Sequence, residues 1–132
     1  MDQAIAVMTA SGDLDGCTVL LVEDESLVSL LAEDILTEAG CTVLLAMRLR
    51  EALQLAQSAE FDLAVLDVNL GGGETSYPVA EILRQRNIPF LFATGYDAAA
   101  LPAAFRDAGA VQKPYRAKEL LTAAAAIRPA RR

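Results

Sequence analysis

Val19-Leu20-Leu21-Val22-Glu23-Asp24 is a short apolar run that ends in two acids, and the chain repeats this design three more times. Leu63-Ala64-Val65-Leu66 ends in Asp67, Pro89-Phe90-Leu91-Phe92-Ala93 ends in Thr94, and Ala110-Val111-Gln112 ends in Lys113-Pro114. Short runs rich in Val, Leu or Phe, with helical patterns between them, read as strands buried on both faces of a parallel sheet. Ligands of open α/β sheets bind beyond the carboxyl ends of the strands. Three acids, a hydroxyl and an ammonium should therefore converge on one cleft.

Working outward, the spacing predicts strands over about 18–23, 41–46, 62–67, 89–94 and 109–113. A first helix over about 26–39 places Leu27, Leu30, Leu31 and Ile35 on one face, with Ser26 as cap and Gly40 as stop. A second over about 48–58 turns Leu49, Ala52, Leu53 and Ala56 inward, and a third over about 77–87 turns Val79, Ile82 and Leu83 inward, with Pro78 in its first turn. The fourth helix is the weak element. Pro102 disfavours a helical Leu101, so a helix of only about seven residues starting near Pro102 is the natural expectation. The last, over about 116–127, has Leu120, Leu121, Ala124 and Ile127 as its core stripe. Alternating strands and helices in this length make an open, doubly wound α/β sheet with helices on both faces.

The 132 residues form one domain, with residues 1–16 expected as a flexible leader, 17–128 as the folded unit and 129–132 as a basic tail. A net charge of −7 argues against a nucleic-acid surface, which needs a basic stripe. The absence of histidine removes His metal sites, Ser-His and Cys-His nucleophile pairs and a phosphohistidine role, so any phosphoryl chemistry must run through carboxylates or hydroxyls. Cys17 and Cys41 each start a predicted strand and are expected reduced and half-buried, without a bridge. No apolar run reaches membrane-spanning length and the N-terminus does not read as a signal peptide, so no membrane contact and a cytoplasmic location are expected.

If strand order places the first and third strands side by side, Glu23, Asp24 and Asp67 crowd together, and like charges there resist joint ionisation. A hard divalent cation relieves this, and Mg²⁺ suits one or two carboxylates plus water and a substrate phosphate. Asp24 and Asp67 are the candidate direct ligands, Glu23 a direct or water-mediated one, and the Asn69 backbone carbonyl a further oxygen. The reaction this permits is attack of the Asp67 carboxylate on an activated phosphoryl group. Thr94 can donate its hydroxyl to one phosphoryl oxygen and Lys113 a point charge to another. Pro114 is a candidate cis-proline. Taken singly these features are ordinary: acidic pairs cap helices, Asp and Thr-Gly make turns, and Lys-Pro is common. Their joint placement at the ends of successive strands is what carries weight.

Those residues resemble the receiver domain of two-component response regulators. The resemblance covers about Thr18 to Ile127 and rests on Val22-Glu23-Asp24, Leu66-Asp67, Ala93-Thr94-Gly95 and Lys113-Pro114. It implies a flavodoxin-like five-stranded sheet of order 2-1-3-4-5, Mg²⁺-dependent transfer of a phosphoryl group from a histidine of a partner kinase to Asp67, and signalling by conformational change. Three departures stand out. The usual aromatic switch three residues before the lysine is Ala110, and the usual proline four residues after the acceptor is Gly71. Pro89-Phe90-Leu91-Phe92-Ala93-Thr94-Gly95-Tyr96 is similar to the Pro-Phe-x-Phe-Ala-Thr-Gly-Tyr motif of a subgroup of stand-alone receivers. Tyr96 and the 96–101 segment are the candidate replacement for the missing switch, with Gly95 freeing the backbone beside them.

The leading reading is a single-domain response regulator, phosphorylated by a sensor histidine kinase or phosphotransfer protein and signalling through a partner protein or a phosphorelay. It is not an enzyme beyond self-phosphotransfer and autodephosphorylation. Met1 and the charged C-terminal tail favour an independent chain. The alternatives are a receiver module of a hybrid histidine kinase and a phosphorylation-independent binding module. An aspartate-nucleophile phosphatase would want an acid two residues after Asp67, where Asn69 has no carboxyl proton to give.

Overall fold

A computed structural model describes residues 13–95 and 98–129. Five parallel strands, β1 (Thr18–Val22), β2 (Thr42–Ala46), β3 (Leu63–Asp67), β4 (Phe90–Thr94) and β5 (Gly109–Gln112), form one sheet of order β2-β1-β3-β4-β5. Among the described residues four α-helices accompany them: α1 (Ser26–Glu38), α2 (Leu49–Ser58), α3 (Tyr77–Gln85) and α4 (Ala117–Ile127). The flavodoxin-like architecture expected from the sequence is the one observed.

The chain runs from β1 outward to β2, then returns to the other side of β1 for β3. The strand order thus reverses between β1 and β3, which opens a crevice at their carboxyl ends. Successive side chains of a strand point to opposite faces. Val19, Leu21 and Val65 therefore pack with Ala32, Ile35 and Leu36 of α1 and Leu120 and Ala124 of α4. Leu20, Val22 and Leu66 pack with Ala52 and Ala56 of α2 and Val79, Ala80 and Leu83 of α3. Coverage on both faces explains why Val19 through Val22 are fully buried and why their sequence shows no polar alternation.

Helix α1 splits the face expected from its spacing, with Ile35 buried and the three leucines exposed. Leu27, Leu30 and Leu31 are 82%, 54% and 43% exposed, while Ser29, Ala32, Ile35 and Leu36 face the sheet. The small Ser29 and Ala32 let the first half of the helix approach the sheet, and Leu27, Leu30 and Leu31 take the outer face. Ser26 is the first helical residue rather than the cap; its carbonyl accepts from Ser29 Oγ at 2.8 Å. Gly40 ends the helix as expected. Its φ of +94° lets its N–H donate to the Thr37 carbonyl and the Cys41 N–H to the Leu36 carbonyl, both at 3.0 Å.

The expected short fourth helix is not an α-helix. Residues 98–108 contain two single 3₁₀ turns, Ala98–Ala100 and Ala103–Phe105, separated by Pro102, whose ring cannot supply a helical N–H. Leu101 and Phe105 anchor this stretch in the core. Cys17 and Cys41 are unbridged, and both are buried rather than half-buried. The turn at residues 13–16 covers them: Leu14 is buried in the same cluster and its carbonyl lies 3.6 Å from Cys41 Sγ. The hydrogen bond between the two thiols pushes Cys17 up and holds Cys41 down. Arg128, just past α4, pins the turn by donating to the carbonyls of Asp13 and Asp15. The rest of the expected leader, residues 1–12, and residues 130–132 of the tail lie outside the described residues.

Candidate functional site

Strand register builds the site. Val22 pairs with Leu66, so Glu23 and Asp24 leave β1 beside Asp67 at the end of β3. Asp67 pairs with Ala93 and Thr94 with Gln112, which brings Thr94 and Lys113 to the same rim. The Lys113 N–H donates to the Thr94 carbonyl at 2.9 Å, and the Lys113-Pro114 bond is cis.

Four carboxylates meet there. Glu23, Asp24, Glu25 and Asp67 each offer an oxygen, and these atoms all lie within 4.8 Å of one another. Glu23 is fully buried and Asp67 nearly so. Lys113 Nζ is the counter-charge, 3.1 Å from Asp67 Oδ2, 3.2 Å from both oxygens of Glu23 and 3.4 Å from Glu25 Oε1. Burial, and then the Glu23 carboxylate, push the Asp67 carboxyl up to about 8 despite the nearby ammonium. For Lys113 burial works in the opposite direction, but the Asp67 and Glu23 carboxylates outweigh it and the net shift is upward.

The donor set fits a hard divalent cation. It consists of carboxylate oxygens in excess over the one ammonium, held close enough to share an ion. Gly71 keeps one side of this cleft open. Its φ is +78°, and a Cβ there would stand 3.2 Å from Asp24 Oδ2.

Of the residues singled out by sequence, Glu23, Asp24, Asp67 and Lys113 converge. Thr94 ends β4, buried, one strand from Asp67. Asn69 is exposed, two residues past Asp67, and bridges to Thr75. Gly95 follows Thr94 with open space about its α-carbon. Ala110 lies on β5 opposite Phe92, half-buried against the α2–α3 side of the core. That side is filled by other aromatics: Tyr77 stacks on Phe105 at 5.4 Å and meets Phe92 edge-on at 5.8 Å. Tyr96 lies outside the described residues.

Two members of the site were not picked out by sequence reasoning. Glu25 joins the acidic cluster, and its position directly after Glu23-Asp24 was the available signal. Tyr115 donates from its buried hydroxyl to Glu23 Oε1 at 3.3 Å, a contact between positions far apart in the chain that no local pattern reveals.

Known proteins are similar to this chain in sequence and fold. The transcriptional regulatory protein TcrA of Mycobacterium tuberculosis is 35% identical over 115 residues, covering 84% of this chain and 46% of TcrA. The chain thus spans about half the length of the curated relatives it matches. The solution structure of SdrG from Sphingomonas melonis Fr1 is 40% identical, with a TM-score of 0.73 over 84% of this chain and 95% of SdrG. The receiver domain of the Erythrobacter litoralis PhyR response regulator is 26% identical, with a TM-score of 0.75 over 88% of this chain and 92% of that one. The profile of the response regulator receiver domain matches residues 19–125, from β1 into α4, and so the chain belongs to the receiver domains of two-component signalling.

Proposed function

We propose that this receiver accepts a phosphoryl group on Asp67, with Mg²⁺ held by Asp24, Asp67 and Glu23 and by the Asn69 carbonyl, from a sensor histidine kinase or phosphotransfer protein. The observation that carries the proposal is the buried Asp67 carboxylate, surrounded by three further acids and contacted by Lys113 at 3.1 Å. An Asp67 oxygen attacks phosphorus, the bond from phosphorus to the donor imidazole nitrogen breaks, and its electron pair returns to that nitrogen. A bound Mg²⁺ would supply the positive charge that lets an anionic nucleophile meet an anionic phosphoryl group. Lys113 moves its ammonium from Asp67 towards one phosphoryl oxygen, and Thr94 donates its hydroxyl to another. Water later cleaves the acyl phosphate and restores the carboxylate.

Signalling passes from Thr94 through Gly95 to Tyr96, which takes the place of the aromatic absent at Ala110. This assigns the chain to the stand-alone receivers with the Pro-Phe-x-Phe-Ala-Thr-Gly-Tyr motif, acting on a partner protein or within a phosphorelay in the cytoplasm. The similarity to SdrG, of which the chain covers 95%, supports that size; the grouping rests on the motif at residues 89–96. The net charge of −7 supports a protein partner over nucleic acid for this domain.

The test is incubation with acetyl phosphate and Mg²⁺, read by intact mass. Wild type gains one phosphoryl group, Asp67→Asn gains none, and chelator stops the reaction. Equal labelling of the Asn variant, or full labelling in chelator, refutes the assignment. Amide exchange over 95–105 with and without beryllofluoride tests the Tyr96 route, and identical protection rejects it.

A second reading, a receiver module within a longer polypeptide such as a hybrid histidine kinase, is favoured by the 46% coverage of TcrA. The size of the native polypeptide on an immunoblot separates the two.

A further inference from the structure

Glu23 occupies the first acidic position with a side chain one carbon longer than aspartate, and its carboxylate has no exposure to water. Such a group needs donors to fix its extra torsion and to satisfy its oxygens. Oε1 accepts from Lys113 Nζ at 3.2 Å and from the Tyr115 hydroxyl at 3.3 Å. Oε2 accepts from Lys113 Nζ at 3.2 Å and from the Glu25 N–H at 3.4 Å. Lys113 is therefore the principal donor, yet the proposed chemistry requires that ammonium to turn towards the incoming phosphoryl group. Among the described residues, the Tyr115 hydroxyl and the Glu25 N–H would then remain as donors to Glu23.

We propose that Tyr115 is a positioning residue which holds the Glu23 carboxylate in its metal-binding orientation once Lys113 has moved away. The ring is well placed for this. It is buried in the cluster that joins the sheet to Leu120 and Ala124 of α4, so packing restricts its orientation and the hydroxyl is presented from a fixed direction. Burial, with Glu23 and Asp67 adding to it, pushes the phenol upward, so it stays protonated and remains a donor. A phenylalanine would fill the same space in the core but leave Glu23 with one donor fewer. Outer contacts of this kind set ligand orientation and, with it, metal affinity.

The inference rests on the metal reading above, and the experiment separates the two. Mg²⁺ affinity is measured by calorimetry, and by the Mg²⁺-induced rise in melting temperature, with beryllofluoride present as the phosphoryl stand-in that draws Lys113 away from Glu23, for wild type, Tyr115→Phe, Glu23→Asp and the double variant. Tyr115→Phe should fold with an unchanged far-UV spectrum and bind Mg²⁺ about tenfold more weakly. In the Glu23→Asp background, where the shorter carboxylate is withdrawn from the phenol, the same change should have no further effect. Equal affinity in wild type and Tyr115→Phe overturns the role of Tyr115 and leaves the metal site standing. An undiminished tenfold loss in the Glu23→Asp background also overturns it, because the ring would then act through packing. Wild-type protein without Mg²⁺ affinity overturns both.

Discussion

Lys113 Nζ lies 3.1 Å from Asp67 Oδ2 and 3.2 Å from both oxygens of Glu23, so one ammonium is shared by two buried carboxylates, one ending β3 and one just past β1. Removing one partner of a buried ion pair leaves the other desolvated and uncompensated. Lys113→Ala should therefore lower stability by about 2–4 kcal/mol in urea denaturation without metal. Added Mg²⁺ should raise the melting temperature of this variant more than that of wild type, because the ion no longer competes with the ammonium. An equal rise would show that Lys113 does not offset the acidic charge.

Asp67→Asn has the opposite thermal signature. The amide keeps the shape of the side chain but ends its repulsion with Glu23 and its desolvation cost, the two causes that raise Asp67. At neutral pH in chelator, its melting temperature should equal or exceed that of wild type.

Arg84 on α3 ties down the irregular stretch after β4. It donates to the Ala104 carbonyl at 2.6 Å, pairs with Asp107 at 2.5 Å and lies 5.1 Å over the Phe105 ring. Arg84→Ala should raise amide exchange across 98–108 and leave β1 and β3 protected, with a stability cost of about 1 kcal/mol. The hydrogen bond from Arg84 lowers the Asp107 carboxyl below its ordinary value. A depressed acid contributes stability above its unfolded pKa, near 4, and loses that contribution as pH falls through the folded value. The gap between wild type and Arg84→Ala should narrow in acid melts.

Gly40→Ala should be costly. With φ at +94°, the new Cβ would stand 2.3 Å from Asp15 Oδ1 and 3.0 Å from the Asp15 α-carbon. Gly40 also accepts the Gly16 N–H at 3.0 Å, so the turn over the cysteines shifts with it. A loss of about 2 kcal/mol is expected, measured by chemical denaturation.

The sheet and most of the cleft were legible because full burial writes itself into sequence as unbroken apolar runs, and each run ends where the chain turns towards the crevice. Helix α1 was legible as a helix but not in its packing: of Leu27, Leu30, Leu31 and Ile35, which spacing groups together, only Ile35 is buried, beside Ser29, Ala32 and Leu36, because periodicity does not say which residues the sheet covers. The short helix expected from Pro102 was a question of hydrogen-bond pattern, which residue types do not fix over so few positions. Tyr115 was hidden for a different reason: its partner Glu23 is set by packing across the sheet, not by spacing.

The two 3₁₀ turns alter how the edge of the sheet responds to force. An α-helix in that place would move as a rigid rod and transmit displacement along its length. Here position depends on two hydrophobic plugs, Leu101 and Phe105, and on guanidinium contacts from Arg84 and Arg106 to backbone carbonyls. A stretch with so few cooperative backbone bonds belongs to the low-stability end of a fold. Withdrawing one plug would release this flank while the strands beneath it keep their ladder, so the β4–β5 edge can be remodelled without global unfolding.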